Sequence, residues 1–207
     1  MNVIDISPVI DAETAVFPGD RPFSREVALA FEHGGNLELS AVTTTVHIGA
    51  HVDAPSHYVS GGAPIDARSL HYYMGPCQVV RVRLPRGRRI QRSDFGRVTA
   101  PRVLIRTDSF PDPSCWNGDF NALSAELVDA LSSEGVILIG IDTPSVDLAD
   151  DKVLESHKAI FRHDMAVLEG IVLDAVDEGT YTLVALPLKI RDADASPVRA
   201  VLVKGAL

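Results

Sequence analysis

The pattern of hydrophobic and polar positions predicts a β-rich first half, with strands near Val3–Ser7, Arg25–Glu32, Leu37–His47, Gln78–Leu84 and Val103–Thr107. Farther along, Ser124 predicts the cap of a helix running through Leu131, in which Leu127, Val128 and Leu131 form one apolar face before Gly135 stops it. Val136-Ile137-Leu138-Ile139-Gly140-Ile141 is a continuous apolar run, as expected of a strand covered on both faces. That strand delivers Asp142-Thr143-Pro144-Ser145 to the edge of the sheet, where open α/β sheets bind ligands. Two more strands are expected over Tyr181–Pro187 and Val198–Val203.

Between these elements, Ile160, Met165, Leu168 and Val172 recur at spacings near 3.6, which predicts a helix carrying Glu169. His157 precedes Glu169 by twelve residues, about 18 Å along an unbroken helix. Both can reach one small site only if His157 lies in a loop or a first turn that folds back.

The densest chemistry lies earlier. His47, His51, Asp53 and His57 fall within eleven residues. Imidazole and carboxylate suit zinc and neighbouring divalent ions, and neither cysteine lies close enough to another ligand to form a closed thiolate site. An extended strand would carry Asp53 about 20 Å beyond His47. A helix would point Asp53 away from the face shared by His47 and His51, and Val42-Thr43-Thr44-Thr45-Val46 is β-branched. The remaining solution is a strand that ends near His47 and curls, with Gly49 tolerating an unusual backbone and Pro55 preventing an interior strand from continuing.

These motifs resemble the cyclase-like metal-dependent hydrolase family, and within it the bacterial formamidases that act on N-formyl-L-kynurenine. The family signature His-x-Gly-Thr-His-x-Asp-x-Pro-x-His is met by HIGAHVDAPSH, with Ala50 in place of threonine. DISPVIDAETAVFPGD, GIDTPSVD, HKAIFRHDMAVLEGIVLD and LPLKIRDADASPVRAVLV are similar to formamidase segments in the same order. The resemblance implies a swivelling β/β/α cyclase-like fold, an α/β (α+β) architecture with a β-rich mixed sheet and flanking helices in a single domain over 1–207. It implies that His47, His51 and Asp53 bind one metal, and that Asp53 and Glu169 bridge it to a second ion also held by His157. His57 matches the proton donor and acceptor, with a third imidazole ligand as the other reading. The activity implied is cleavage of N-formyl-L-kynurenine to L-kynurenine and formate in tryptophan catabolism, by a hydroxide held between two ions, zinc or else manganese. His163 is read as helix surface or as support behind the site.

Formamidases of this group usually carry tryptophan where this chain has Phe17, the residue expected to pack against the substrate ring. Phenylalanine keeps an apolar ring but loses area and the indole N–H. The alternatives are therefore another amide hydrolase of the same family, of the isatin or other cyclic-amide type, and a non-catalytic metal-binding protein.

Composition narrows the partners. A formal charge of −9 excludes a nucleic-acid surface, which needs a concentrated basic face, and favours a small-molecule aryl formamide. The one basic cluster, Arg81 to Arg89, reads as a solvated edge strand and turn. No apolar run reaches the roughly 20 residues that span a bilayer, and no leader precedes Val3, so no membrane partner and a cytoplasmic location are expected. Cys77 and Cys115 are expected to remain buried thiols. The resemblance further suggests a homodimer.

Overall fold

A computed structural model of the chain describes residues 2–94 and 96–204. In chain order the strands are β1 (Asn2–Asp5), β2 (Ser24–Leu29), β3 (Leu39–Thr43), β4 (His51–Asp53), β5 (Met74–Arg81), β6 (Arg89–Ile90) and β7 (Arg102–Arg106). They continue with β8 (Ala122–Leu123), β9 (Leu138–Ile141), β10 (Ala166–Glu169), β11 (Gly179–Val184), β12 (Ala195–Pro197) and β13 (Val201–Lys204). The α-helices are α1 (Pro55–Tyr58), α2 (Ala125–Ser133) and α3 (Glu155–Arg162).

One nine-stranded mixed sheet, ordered β1-β13-β11-β5-β7-β9-β10-β4-β12, organises the molecule. Its centre, β5-β7-β9-β10, is parallel, and the strands flanking that centre pair antiparallel. The central strands are apolar on both sides because both faces are covered. Leu104, Leu138 and Leu168 face a core with Ile6, Tyr73 and Leu202. Ile105, Ile139 and Val167 face a second core with Leu127, Leu131 and Ile160 from α2 and α3. This α+β, β-rich architecture, a mixed sheet with few helices, agrees with the expectation above.

The Ser124 cap is present, its hydroxyl accepting from Leu127 N–H at 3.1 Å, and Gly135 follows α2 with φ 87°. Three expectations need correction. Glu169 sits at the end of strand β10, not on a helix. Helix α3 stops at Arg162, Asp164 turns the chain with φ 48°, and Met165-Ala166-Val167-Leu168 enters the sheet fully buried. A short apolar run covered on both faces has no period that separates helix from strand. The Arg81–Arg89 segment is a solvated turn only in its middle, where Arg83, Arg86 and Arg88 are exposed: at its ends β5 lies between β11 and β7, and Arg89 is drawn into Asp147, Asp151 and Glu155 at 3.0, 2.6 and 2.8 Å. Cys77 is buried, but Cys115 is exposed.

Strands β2 and β3 form a separate antiparallel hairpin, exposed along its whole length. The described residues include no helix long and apolar enough to cross a membrane.

Candidate active site

The site is built on β4 and its two neighbours. Residues alternate across a strand, so His51 and Asp53 share one face, and the antiparallel register sets Glu169 of β10 directly opposite His51. Val167, opposite Asp53, belongs to the core under α2 and α3, so this face of the sheet is the one that receives α3 and its His157. His47 reaches the same point from the turn before β4, where Gly49 adopts φ 57°. Gly170, φ 65°, is required next to it: a Cβ there would fall 2.2 Å from the Gly49 carbonyl oxygen. Curling after β3 thus begins at Thr43, before His47, and ends in a second short strand that bears the ligand-type residues.

All five residues expected to hold metal come together. Asp53 Oδ1 lies 3.0 Å from His47 Nδ1 and 3.6 Å from His51 Nε2, while Oδ2 lies 3.4 Å from His157 Nε2. Glu169 divides in the same way, with Oε2 at 3.2 Å from His51 Nε2 and Oε1 at 3.6 Å from His157 Nε2. The Val146 N–H, in the loop after β9, also donates to Glu169 Oε1 at 2.7 Å. His51 donates Nδ1–H to the Gly49 carbonyl at 2.9 Å and so turns Nε2 to the carboxylates.

The donor set fits divalent cations. Asp53 Oδ1 is buried and makes no hydrogen bond, although two imidazole nitrogens crowd it. An unsatisfied buried carboxylate oxygen costs free energy, and a cation among these lone pairs would satisfy it. Among the described residues, two groups have ligand atoms within 4.8 Å of one another, His51-Asp53-Glu169 and His47-Asp53-His57. His57 therefore falls within ligand reach. It is more exposed than the others, its side chain 36% accessible against 14% for His47 and 3% for His51 and His157.

Electrostatics follow from this crowding. Burial pushes the His47 imidazole down, but Asp53 and Asp194 outweigh it and hold the group up at about 9. His157 is likewise disfavoured by burial yet raised to about 10 by Asp147, Asp53 and Glu169. Asp53 is penalised by burial and still held well below the usual carboxylate range by His157 and His47.

Two supporting residues escaped the reading of the sequence. Asp194 Oδ2 accepts from His47 Nε2 at 3.0 Å and from His57 Nδ1 at 3.3 Å, although it lies 137 residues beyond His57. Asp147, within the quoted GIDTPSVD segment, accepts from His157 Nδ1 at 2.8 Å. Only the pairing of β12 with β4, Ala195 opposite Asp53, brings Asp194 to the histidines. His163, at the end of α3, bonds Asp129 at 2.8 Å on the helix surface and does not line the cavity.

The histidines open into a cavity of about 830 Å³ whose wall includes Phe17, Phe110, Pro111 and Pro113. Phe17 packs edge-on against Trp116, ring centroids 4.9 Å apart, and Trp116 contacts Phe110 and Phe120. Asp142, Pro144 and Ser145 line the cavity from the carboxyl end of β9, as expected of that strand.

Comparison with known proteins agrees with this geometry. The profile of the family described as "Putative cyclase" matches residues 4–148. A kynurenine formamidase from Bordetella pertussis is 46% identical over 201 residues, covering 96% of each chain. Among solved structures, a potential metal-dependent hydrolase with cyclase activity superposes with a TM-score of 0.83 at 26% identity, covering 97% of this chain and 96% of the other. An isatin hydrolase bound to the product analogue thioisatinate shares the fold, with a TM-score of 0.81 at 18% identity over 99% and 92% of the two chains. The chain belongs to the cyclase family. It is a hydrolase of that family, with a site suited to metal ions.

Proposed function

We propose that this hydrolase cleaves the carbon–nitrogen bond of a linear aryl formamide, converting N-formyl-L-kynurenine to L-kynurenine and formate in tryptophan catabolism. The observation that carries the metal-dependent reading is the Asp53 carboxylate. Its oxygens face separate imidazole sets, and one of them is buried without a hydrogen bond. The 46% identity to a kynurenine formamidase supports the substrate.

In this reading His47, His51 and Asp53 would hold one ion, and Asp53 and Glu169 would share it with a second ion also held by His157, most suitably zinc, with manganese the alternative. Such ions, when bound, supply polarisation of the amide carbonyl and activation of water near neutral pH. The protein's own groups then act on the proton and the ring. Asp194 accepts the His57 Nδ1–H, which leaves Nε2 as the atom that takes a proton and passes it to the departing aryl amine. Phe17, seated on Trp116, packs against the aryl ring.

A cytoplasmic homodimer completes the proposal. Two unpaired cysteines suit a reducing compartment. The exposed β2–β3 hairpin, with Val42 60% and Leu39 54% accessible, supplies an apolar surface for a second copy.

The test is turnover by metal-loaded protein offered N-formyl-L-kynurenine and isatin separately. Release of formate and L-kynurenine is expected. Ring opening of isatin without formamide cleavage would overturn the proposal in favour of a cyclic-amide hydrolase.

A further inference from the structure

Lys152 is the one Lys or Arg side chain, among the described residues, that lines the cavity, whereas eight Asp and Glu side chains line it. Neighbouring guanidinium groups are already engaged: Arg89 meets three carboxylates, and Arg81 and Arg106 close on Asp108 at 2.5 and 2.6 Å. Lys152 is exposed and makes no hydrogen bond or ion pair among the described residues.

The backbone presenting Lys152 is held on both sides. Asp151 accepts from Arg89 and from the Val153 N–H, each at 2.6 Å. Leu154 then turns into α3 with φ 55°, a left-handed conformation that a non-glycine residue keeps only where its surroundings impose it. The ammonium is thus without a partner among the described residues while the backbone around it is held, on the loop that leads to His157.

Away from the residues assigned to the ions the cavity wall carries further carboxylates, so a carboxylate of the ligand placed there needs a local cation, while an ammonium beside it does not. We propose that Lys152 binds a carboxylate on the substrate, so that the cavity selects aryl amides whose side chain carries a carboxylate. Phe17, Phe110 and the two prolines take the ring, and Lys152 takes the charged end. This rests on the formamidase reading, because N-formyl-L-kynurenine carries an α-carboxylate remote from its formamide.

The experiment compares wild-type protein and Lys152→Met, both metal-loaded, on N-formyl-L-kynurenine and on its methyl ester. The wild type is expected to show a lower KM for the acid. Lys152→Met is expected to raise that KM about tenfold, the order of one charge-assisted contact, and to bring the acid-to-ester ratio near one. Calorimetric binding of the product L-kynurenine and its methyl ester reads the same preference without turnover. An acid-to-ester ratio that survives in Lys152→Met, in KM and in binding, overturns the proposal. If the wild type hydrolyses neither compound, the formamidase reading fails instead, and the Lys152 dependence of L-kynurenine binding still decides the carboxylate site.

Discussion

Asp147 holds His157 twice, its Oδ2 accepting from the imidazole Nδ1–H at 2.8 Å and from the backbone N–H of the same residue at 3.1 Å. One carboxylate therefore fixes both the start of α3 and the tautomer of the histidine on it. Its other oxygen meets Arg89 at 3.0 Å, and Asp147 is fully buried. His157 Nε2 is left facing Asp53 and Glu169, the orientation in which an imidazole coordinates. Replacing Asp147 by Asn keeps the shape and removes the charge. Metal affinity should fall about 10–100-fold, the usual cost of losing such support, as measured by competition with a chromophoric chelator. An affinity within twofold of wild type would mean that Asp147 caps the helix and nothing more.

Metal analysis of single variants separates ligands from the proton carrier. Asp53→Ala should lose both metal and hydrolysis, since its carboxylate faces both imidazole sets, and His47→Ala and His51→Ala should also lose metal. His57→Ala should keep the full complement while kcat falls by roughly 10²–10⁴, the worth of a positioned acid or base. Because His57 lies within ligand reach of His47 and Asp53, this is a sharp test. Loss of metal from His57→Ala would make it a ligand.

Phe17→Trp should lower KM for N-formyl-L-kynurenine with little change in kcat, as expected for binding that is uniform in ground and transition states. The side chain can grow towards the cavity because Trp116 backs the ring at 4.9 Å. Steady-state kinetics checks it, and an unchanged or higher KM would argue for a different substrate.

Protonation of the metal-free site gives an expected pH dependence. His47 and His157 are raised from 6.5 to about 9 and about 10 in the folded chain. Their contribution to stability is therefore fully present below about pH 6.5 and is lost as pH rises through about 9 to 10. Ion binding requires these imidazoles neutral, so it displaces protons and strengthens over the same interval. In thermal melts, the Tm of chelated protein should fall from pH 7 to pH 9 while the increment produced by added zinc grows. A flat Tm for the chelated protein would contradict the raised values.

Much of the site was legible because its residues are close in sequence and chemically distinctive. The His47 to His57 run implied a bend, and Gly49 at φ 57° supplies it. Glu169 was recognisable only by resemblance, and its helical setting was misread because a buried parallel strand and a buried helix segment look alike over four residues. Asp194 falls within the formamidase-like LPLKIRDADASPVRAVLV segment, but nothing in that segment points it at the histidines. Its role depends on the pairing of β12 with β4, a long-range register that periodicity does not encode. The Arg89 network was hidden for a related reason: three of its partners come from a loop and a helix more than fifty residues away.

Stripping the protein with a chelator and following kynurenine formation from N-formyl-L-kynurenine against added zinc is the most direct measurement. Activity absent from the stripped protein, rising with zinc and reaching a plateau at about two equivalents per chain, is the result expected of ions shared by Asp53 and Glu169. Full activity in the stripped protein, or a plateau at one equivalent, would contradict it.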